Sequence, residues 1–189
     1  MEERELWSVP ENLHPYAGLA FTSIVYFVQM NQRVRLNRLP PALAEALAPL
    51  REELSQPGAC FVSLKKFGNL RGCIGTIEPL TSSLGEEIAE NAVSAATRDP
   101  RFPPVQPGEL RELEVSVDVL SSPREAKYDE LDPKKYGLIV EQGGRRGLLL
   151  PDLPDVRTVE FQVQVAAQKG GIDLEQPHNL YVFTVDRYR

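Results

Sequence analysis

The chain has 189 residues and a formal net charge of −6, with 42% hydrophobic and 25% charged residues. These proportions are ordinary for a globular domain, and they exclude a disordered, collagen-like or coiled-coil protein. The negative charge disfavours a nucleic-acid-binding protein, because contacts to phosphates need a positive face.

The chain contains only two cysteines, Cys60 and Cys73, and two histidines. So few cysteines exclude a disulfide-rich secreted scaffold, and no zinc-ligand spacing is present, so we expect no metal site. The first residues lack the basic and apolar regions of a signal peptide. Trp7 in this segment has two interpretations: it anchors the segment to the protein, or it is exposed at a partner surface. Residues 17–30 are apolar but too few to span a membrane. We expect a soluble cytoplasmic protein without a membrane contact.

The first third of the chain predicts two helices and a hairpin. Residues 14–36 repeat apolar side chains at helical spacing, and a shorter helix is expected over residues 41–54, where Pro49 limits its length. Residues 59–64 and 70–77 have the composition of strands. They predict a hairpin whose loop is longer than two residues.

The middle of the chain predicts a helix and a strand. Ser83 and Glu86 have the spacing of a capping box, and the helix that follows has a face rich in alanine. Pro100 ends this helix. Apolar and polar residues then alternate over residues 113–119, which is the clearest half-buried strand in the sequence.

The last third predicts a second hairpin, over residues 138–142 and 147–150, then a helix over residues 156–169 and a strand over residues 180–185. Hairpins and helices follow one another without a regular βα alternation. This order predicts an α+β fold with a mixed, mainly antiparallel sheet and flanking helices. The length predicts one domain over residues 1–189.

The segment LRGCIGT, residues 70–76, has the residues best suited to chemistry. Glycines inside a strand, here Gly72 and Gly75, indicate a bulge or another group close to the backbone. Arg71 and Cys73 share a face if the strand is regular, and a cation near a thiol stabilises the reactive thiolate. Cys73 is therefore a candidate catalytic residue. Alternatively, it is a small buried side chain, and the glycines make room for the alanine-rich helix.

A second candidate segment, DPRFPP, covers residues 99–104. Its prolines restrict the backbone, and the planar guanidinium of Arg101 suits a carboxylate or a phosphate. Asp99 would orient Arg101 or Arg71; alternatively, it pairs locally and the loop only connects two elements. We expect Arg71, Cys73 and Arg101 to surround one cleft that takes a small anionic ligand.

Together, LRGCIGT and the later RDPRFPPV at residues 98–105 resemble the signature of the AMMECR family. The resemblance continues from FVSLKK at residue 61 through ELEVSVDVLSSP at residue 112 to QKGGI at residue 168, so it covers most of the chain. It implies a compact α+β domain of two lobes. It leaves the reaction, and any cofactor, open.

The resemblance also implies partners. In many prokaryotes such a domain is encoded beside, or fused to, a Memo-like protein and a radical S-adenosylmethionine protein, in the AmmeMemoRadiSam system. The chain departs from many relatives at Tyr136 and Asp152, where His and Gln occur, and from some archaeal relatives at Ala167, where Cys occurs. Cys73 would therefore act without that histidine or that second thiol.

Three classes of function are consistent with the sequence. The first is a ligand-binding or catalytic component of that pathway, with Cys73 as the catalytic residue and with Arg71, Asp99 and Arg101 binding the ligand. The second is a non-catalytic protein-interaction or regulatory module, which would expose a large apolar patch. The third is a nucleic-acid-linked regulator, which the net charge of −6 disfavours. Whether the protein is an enzyme is left open.

Overall fold

A computed structural model of the protein describes residues 13–189. Trp7 and the first residues, which the sequence distinguishes from a signal peptide, lie outside the described residues. The chain forms two compact units, and each is described by itself. The first contains residues 13–119 together with residues 187–189, and the second contains residues 120–186.

Four helices belong to the first unit: α1 Pro15–Met30, α2 Pro41–Leu47, α3 Arg51–Ser55 and α4 Leu84–Thr97. Helix α1 ends earlier than predicted, because Asn31 adopts a left-handed conformation with φ of 53°. Pro49 divides the predicted second helix, as a 3₁₀ turn at Ala48–Leu50 separates α2 from α3. The predicted cap of α4 is confirmed, since the Glu86 N–H donates to the Ser83 hydroxyl over 3.3 Å.

The sheet of this unit has the strand order β2-β1-β3-β8, with β1 Ala59–Lys66, β2 Asn69–Gly75, β3 Leu113–Leu120 and β8 Val185–Tyr188. The predicted loop of more than two residues between β1 and β2 is wrong, because Lys66 pairs with Asn69 and leaves a turn of two residues. Phe67 and Gly68 form this turn with φ of 52° and 77°. Two positive φ values are typical of the tight turn that matches the strand twist.

The core of the first unit lies between this sheet and the helices. The fully buried apolar side chains come from α1, α4 and the two central strands, and include Leu19, Ile24, Val62, Ile88 and Val117. Burying a side chain of this size stabilises a fold by about 1.5–3 kcal/mol. The alternation predicted for β3 is confirmed over Leu113, Val115 and Val117, which are buried. It is wrong at the end of the predicted range, where Asp118 is buried and Val119 is only partly buried.

The second unit has the strand order β4-β7-β5-β6, with β4 Arg124–Glu125, β5 Gly137–Gln142, β6 Arg145–Leu149 and β7 Asn179–Phe183. Helix α5, Val159–Gly170, packs against β5 and β6 and ends at Gly171, which is left-handed with φ of 60°. A Cβ on Gly147 would lie 1.8 Å from the Ala166 carbonyl oxygen, so strand and helix meet backbone to backbone.

The predicted α+β class is confirmed by helices flanking antiparallel sheets. The presence of two four-stranded sheets, rather than one, was not predicted. The two lobes and the single domain over residues 1–189 stay predictions. None of the helices from residue 13 onward is both long and apolar enough to cross a membrane.

Candidate functional site

Strand β2 contains a bulge at Arg71. Leu64 pairs with Gly72 and Lys65 pairs with Leu70, which leaves Arg71 without an opposite residue in β1. The strand is therefore irregular at the point where the sequence argument placed Arg71 and Cys73 on one face. Of the two explanations that the sequence left open for the glycines of this segment, a bulge or a group close to the backbone, the bulge is present one residue before Gly72.

Gly72 is the position where β2 meets α4. A Cβ there would lie 2.2 Å from the carbonyl oxygen of Ala95, so only glycine allows the two backbones to approach this closely. Because successive side chains of a strand point to opposite faces, Cys73 points away from α4. The alanine-rich helix thus explains Gly72 without burying the Cys73 side chain.

Cys73 is only partly buried and lies opposite Ser63 of β1. The Ser63 hydroxyl donates a hydrogen bond to the Cys73 Sγ over 3.2 Å. Cys60 differs completely, because it is fully buried and this burial raises the pKa of its thiol to about 12. Only Cys73 is therefore a candidate for thiol chemistry.

Asp99 and Arg101 bond to the main chain of Cys73 at the edge of the sheet. The Cys73 N–H donates to Asp99 Oδ2 over 2.8 Å, and Arg101 Nη2 donates to the Cys73 carbonyl over 3.3 Å. Strand β2 is an edge strand, so these two backbone groups have no neighbouring strand to bond. The loop after α4 takes the place of that strand.

The Asp99 carboxylate is buried, with 2% of its side chain exposed. It accepts hydrogen bonds from Arg101 Nε at 2.9 Å and Arg101 Nη2 at 2.7 Å, besides the Cys73 and Arg101 N–H groups. The Arg101 guanidinium, aided by these N–H donors, outweighs the effect of burial and holds the pKa of Asp99 well below its usual range. Asp99 is therefore ionised at neutral pH, and it raises the pKa of Arg101 in turn.

Arg101 remains accessible although it is anchored. Its side chain is 54% exposed. Nε and Nη2 are bonded as described, whereas Nη1 forms no hydrogen bond with any residue of the range 13–189. The guanidinium is thus oriented by Asp99 and still has donors that face solvent.

Arg71 has a different environment. Its side chain is 12% exposed and forms a two-pronged pair with Glu109, with Nε–Oε1 at 3.0 Å and Nη2–Oε2 at 2.9 Å. Its Nη1 donates to the Pro103 carbonyl over 2.9 Å. These contacts lower the pKa of Glu109 to about 2, chiefly through the Arg71 hydrogen bonds. Arg71 thus links β2 to the DPRFPP loop and to the 3₁₀ helix Pro107–Glu112.

The four predicted residues are part of one hydrogen-bonded arrangement. Cys73, Asp99 and Arg101 bond to one another, and Arg71 bonds to the same loop through Pro103. The shared cleft, the ligand-binding roles and the catalytic role of Cys73 stay predictions. Within residues 13–189, no group of three His, Cys, Asp or Glu side chains is arranged to hold a metal ion.

Sequence reasoning missed Ser63 and Glu109. Ser63 could not be found from the hairpin turn alone, because a regular register after a turn of two residues places Gly72 opposite Ser63, and only the bulge at Arg71 brings Cys73 there. Glu109 follows Gln106 by three residues, and its Oε2 accepts the Gln106 N–H over 3.0 Å. That spacing predicts a helix start, but no local pattern reveals the pairing with Arg71.

Comparison with known proteins identifies relatives over nearly the whole chain. A family model described as AMMECR1 matches residues 17–188. A protein of Clostridium acetobutylicum is 42% identical over 98% of this chain, which spans only 38% of that relative's length. A protein of Thermotoga maritima is 44% identical, and the match covers 93% of this chain and 98% of the relative.

A solved structure has a similar fold. The crystal structure of an uncharacterised protein from Pyrococcus horikoshii matches with a TM-score of 0.78 and 28% sequence identity. The match covers 92% of this chain and 89% of that protein.

Proposed function

The chain belongs to the AMMECR1 family, and from that premise we propose that it binds a small anionic ligand at a surface formed by Cys73 and Arg101. We name it the Cys73–Arg101 surface. Asp99 and Arg71 act in the proposal as positioning residues. The protein serves a pathway shared with a Memo-like protein and a radical S-adenosylmethionine protein.

One observation carries the proposal: Arg101 is more than half exposed and yet held by a buried carboxylate. Exposed arginines ordinarily lose side-chain entropy when they bind a ligand. Arg101 has already lost part of that freedom through its two bonds to Asp99. Its free Nη1 is the donor that we assign to a carboxylate or phosphate oxygen of the ligand.

Cys73 is the candidate catalytic residue at this surface. Where a ligand has an electrophilic carbon, a thiolate attack forms an S–C bond, and the leaving group departs with the electrons of the bond that breaks. The Ser63 hydroxyl, 3.2 Å from the sulfur, would orient the thiolate by donating its hydrogen bond. The proposal of pathway partners rests on the resemblance to the family alone.

Comparing two alkylating reagents tests the proposal. Iodoacetate is a small anion and iodoacetamide is its neutral counterpart; both alkylate a thiolate with loss of iodide. If Arg101 attracts anions to Cys73, Arg101→Gln will lower the ratio of the iodoacetate rate to the iodoacetamide rate by about two- to fivefold, the factor expected for an exposed charge pair. Peptide mass spectrometry follows each cysteine separately.

The chain supplies two controls. Arg98→Gln removes the same charge from the same loop, at an exposed residue without an ion pair in the described part of the chain, and should leave the ratio unchanged. Cys60 should stay unmodified in the folded protein because it is fully buried. An identical change of the ratio in both arginine variants would refute a specific role for Arg101.

A second candidate function is a protein-interaction module, favoured by two exposed apolar side chains. Phe67, at the tip of the β1–β2 hairpin, is 72% exposed, and Leu80 is 80% exposed. Phe67→Ser and Leu80→Ser should abolish co-purification with the Memo-like and radical enzymes, where a genome encodes them, if these residues bind a partner. Unchanged complex formation in both variants would reject this alternative.

A further inference from the structure

The segment that follows α1 is basic, although the protein is acidic. Residues 13–44 contain no aspartate or glutamate and three arginines, Arg33, Arg35 and Arg38, whereas the whole chain has a net charge of −6. Arg33 pairs with Glu90 of α4. Arg35 and Arg38 are exposed, and neither forms an ion pair within the described residues.

A single 3₁₀ turn, Leu36–Arg38, arranges the residues of this segment. The Arg38 N–H donates to the Arg35 carbonyl over 2.8 Å, which closes the turn. Because a 3₁₀ helix has three residues per turn, residues three apart lie on the same side. Arg35 and Arg38 therefore share one side of the turn, and Leu36 and Leu39 share another.

Each side of the turn lines a different pocket. On the basic side, an open pocket of about 540 Å³ is lined by Tyr26, Gln32, Arg33, Arg35 and Arg38. On the apolar side, a pocket of about 460 Å³ is lined mainly by aliphatic side chains of the turn, α2 and α3, including Leu36, Leu39, Leu47 and Leu54. Both volumes are in the range of small-molecule sites.

A third pocket adjoins both, because it shares Leu36 and Asn37 with the apolar pocket and Arg33 and Arg35 with the basic one. Two acidic residues, Glu86 and Glu90, line this middle pocket. Glu90 is neutralised by Arg33, and Glu86 accepts a hydrogen bond from Ser82. The basic pocket itself has no acidic lining residue.

We propose that these adjoining pockets bind an amphiphilic anion, namely an aliphatic chain with a phosphate head group. The chain occupies the apolar pocket, and the phosphate lies between Arg35 and Arg38. Two unpaired guanidinium groups favour a phosphate over a singly charged carboxylate, because their planar donors match phosphate oxygens and their charges match its two negative charges. This site involves none of the residues of the Cys73–Arg101 surface.

Calorimetric titration with octyl phosphate, inorganic phosphate and octanol tests the proposal in a buffer without phosphate. Octyl phosphate should bind at least about tenfold more tightly than either fragment, because only it meets both pockets. The double variant Arg35→Gln with Arg38→Gln should weaken the binding of octyl phosphate by about tenfold or more. Ala44→Phe should also weaken the binding of octyl phosphate, because Ala44 is exposed and lines the apolar pocket, so that a larger side chain there fills the pocket.

Matched controls separate these effects from general ones. Ala46→Phe adds the same group to an exposed position of α2 that does not line the pocket, and Arg157→Gln removes an exposed, unpaired charge of the second unit. Both should bind octyl phosphate like the wild type. The proposal is overturned if octyl phosphate shows no saturable binding, or if the double arginine variant and Ala44→Phe bind it as the controls do.

Discussion

The N–H of Cys73 donates to the carboxylate of Asp99 over 2.8 Å, and this bond joins the edge strand β2 to the loop after α4. The carboxylate is buried and ionised, and Arg101 neutralises it. The relationship explains why an acidic residue stands between the alanine-rich helix and a proline. It satisfies a backbone donor that the sheet leaves free.

Asp99→Asn should destabilise the protein by about 2–3 kcal/mol at pH 7. The substitution keeps the shape of the side chain but removes the charge that strengthens its bonds to Cys73 and Arg101, and charge-assisted hydrogen bonds are worth about this much. Urea denaturation measures the free energy of unfolding. Asp155→Asn, at an exposed carboxylate, should stay within about 0.5 kcal/mol of the wild type; similar losses in both variants would contradict this assignment.

Acid should destabilise the protein through Glu109 as well as Asp99. Both carboxyls have pKa values below their usual range in the folded state, so their contribution is complete above the pKa of the unfolded chain and is lost as pH falls through the folded pKa. For Glu109 this interval extends from about 4.5 down to about 2.

Glu109→Gln tests this pH dependence. The variant should be less stable than the wild type at pH 7, because Arg71 loses its carboxylate, and the two proteins should converge as the pH falls below about 2, where Glu109 becomes protonated in the folded state. Chemical denaturation at a series of pH values gives both curves. A constant difference between them at every pH would show that the charge of Glu109 contributes nothing.

Gly72→Ala should destabilise the protein by about 3 kcal/mol, because its Cβ would lie 2.2 Å from the Ala95 carbonyl oxygen and a backbone atom cannot move away cheaply. Gly108→Ala is the control, since its Cβ would have no neighbour within 4 Å. That variant should be neutral or slightly more stable. Thermal unfolding distinguishes the two; a neutral Gly72→Ala would show that β2 does not touch α4.

Glu87→Gln should loosen the loop before α4. Glu87 is 1% exposed, and its Oε2 accepts the N–H groups of Leu80 and Thr81 over 3.0 and 2.8 Å. These bonds, with those from the Thr76 and Thr81 hydroxyls, outweigh burial and lower the pKa of Glu87. The loop is therefore held by a carboxylate rather than by apolar packing.

Amide hydrogen exchange gives the readout for this variant. The Leu80 and Thr81 amides should exchange about tenfold faster or more, which corresponds to the loss of charge-assisted bonds of about 1.5 kcal/mol. Glu45→Gln, at an exposed carboxylate of α2, should leave both rates unchanged. Equal rates in the wild type and Glu87→Gln would refute the role of the carboxylate.

Features specified by neighbouring residues could be predicted from the sequence. The Ser83 cap, the end of α5 near Gly171 and the alternation along β3 each depend on residues a few positions apart. The prediction of a longer hairpin loop was wrong because Phe67 occupies a left-handed conformation that bulky residues rarely adopt. Rules that recognise a two-residue turn by Gly, Asn or Asp do not predict one with an aromatic residue at its first position.

The candidate site could be predicted only in part from the sequence. Two segments of residues suited to binding were predicted to meet, and Cys73, Asp99 and Arg101 do contact one another. The pairing of Arg71 with Glu109 could not be predicted, since the two residues are 38 positions apart and only the folded chain brings them together. Arg71 was expected to face a ligand, whereas each of its nitrogens is bonded within the protein.

The backbone contact between Gly72 and Ala95 has a consequence for protein design. No side chain lies between strand and helix at this point, so the separation of Cys73 from the loop that carries Asp99 and Arg101 is set by main-chain atoms. Residues 71–75 and 95–101 are therefore a small unit suited to transplantation. Another scaffold that receives it needs a glycine-bearing edge strand against a helix of small residues, together with a hydroxyl in the place of Ser63 and a carboxylate in the place of Glu109.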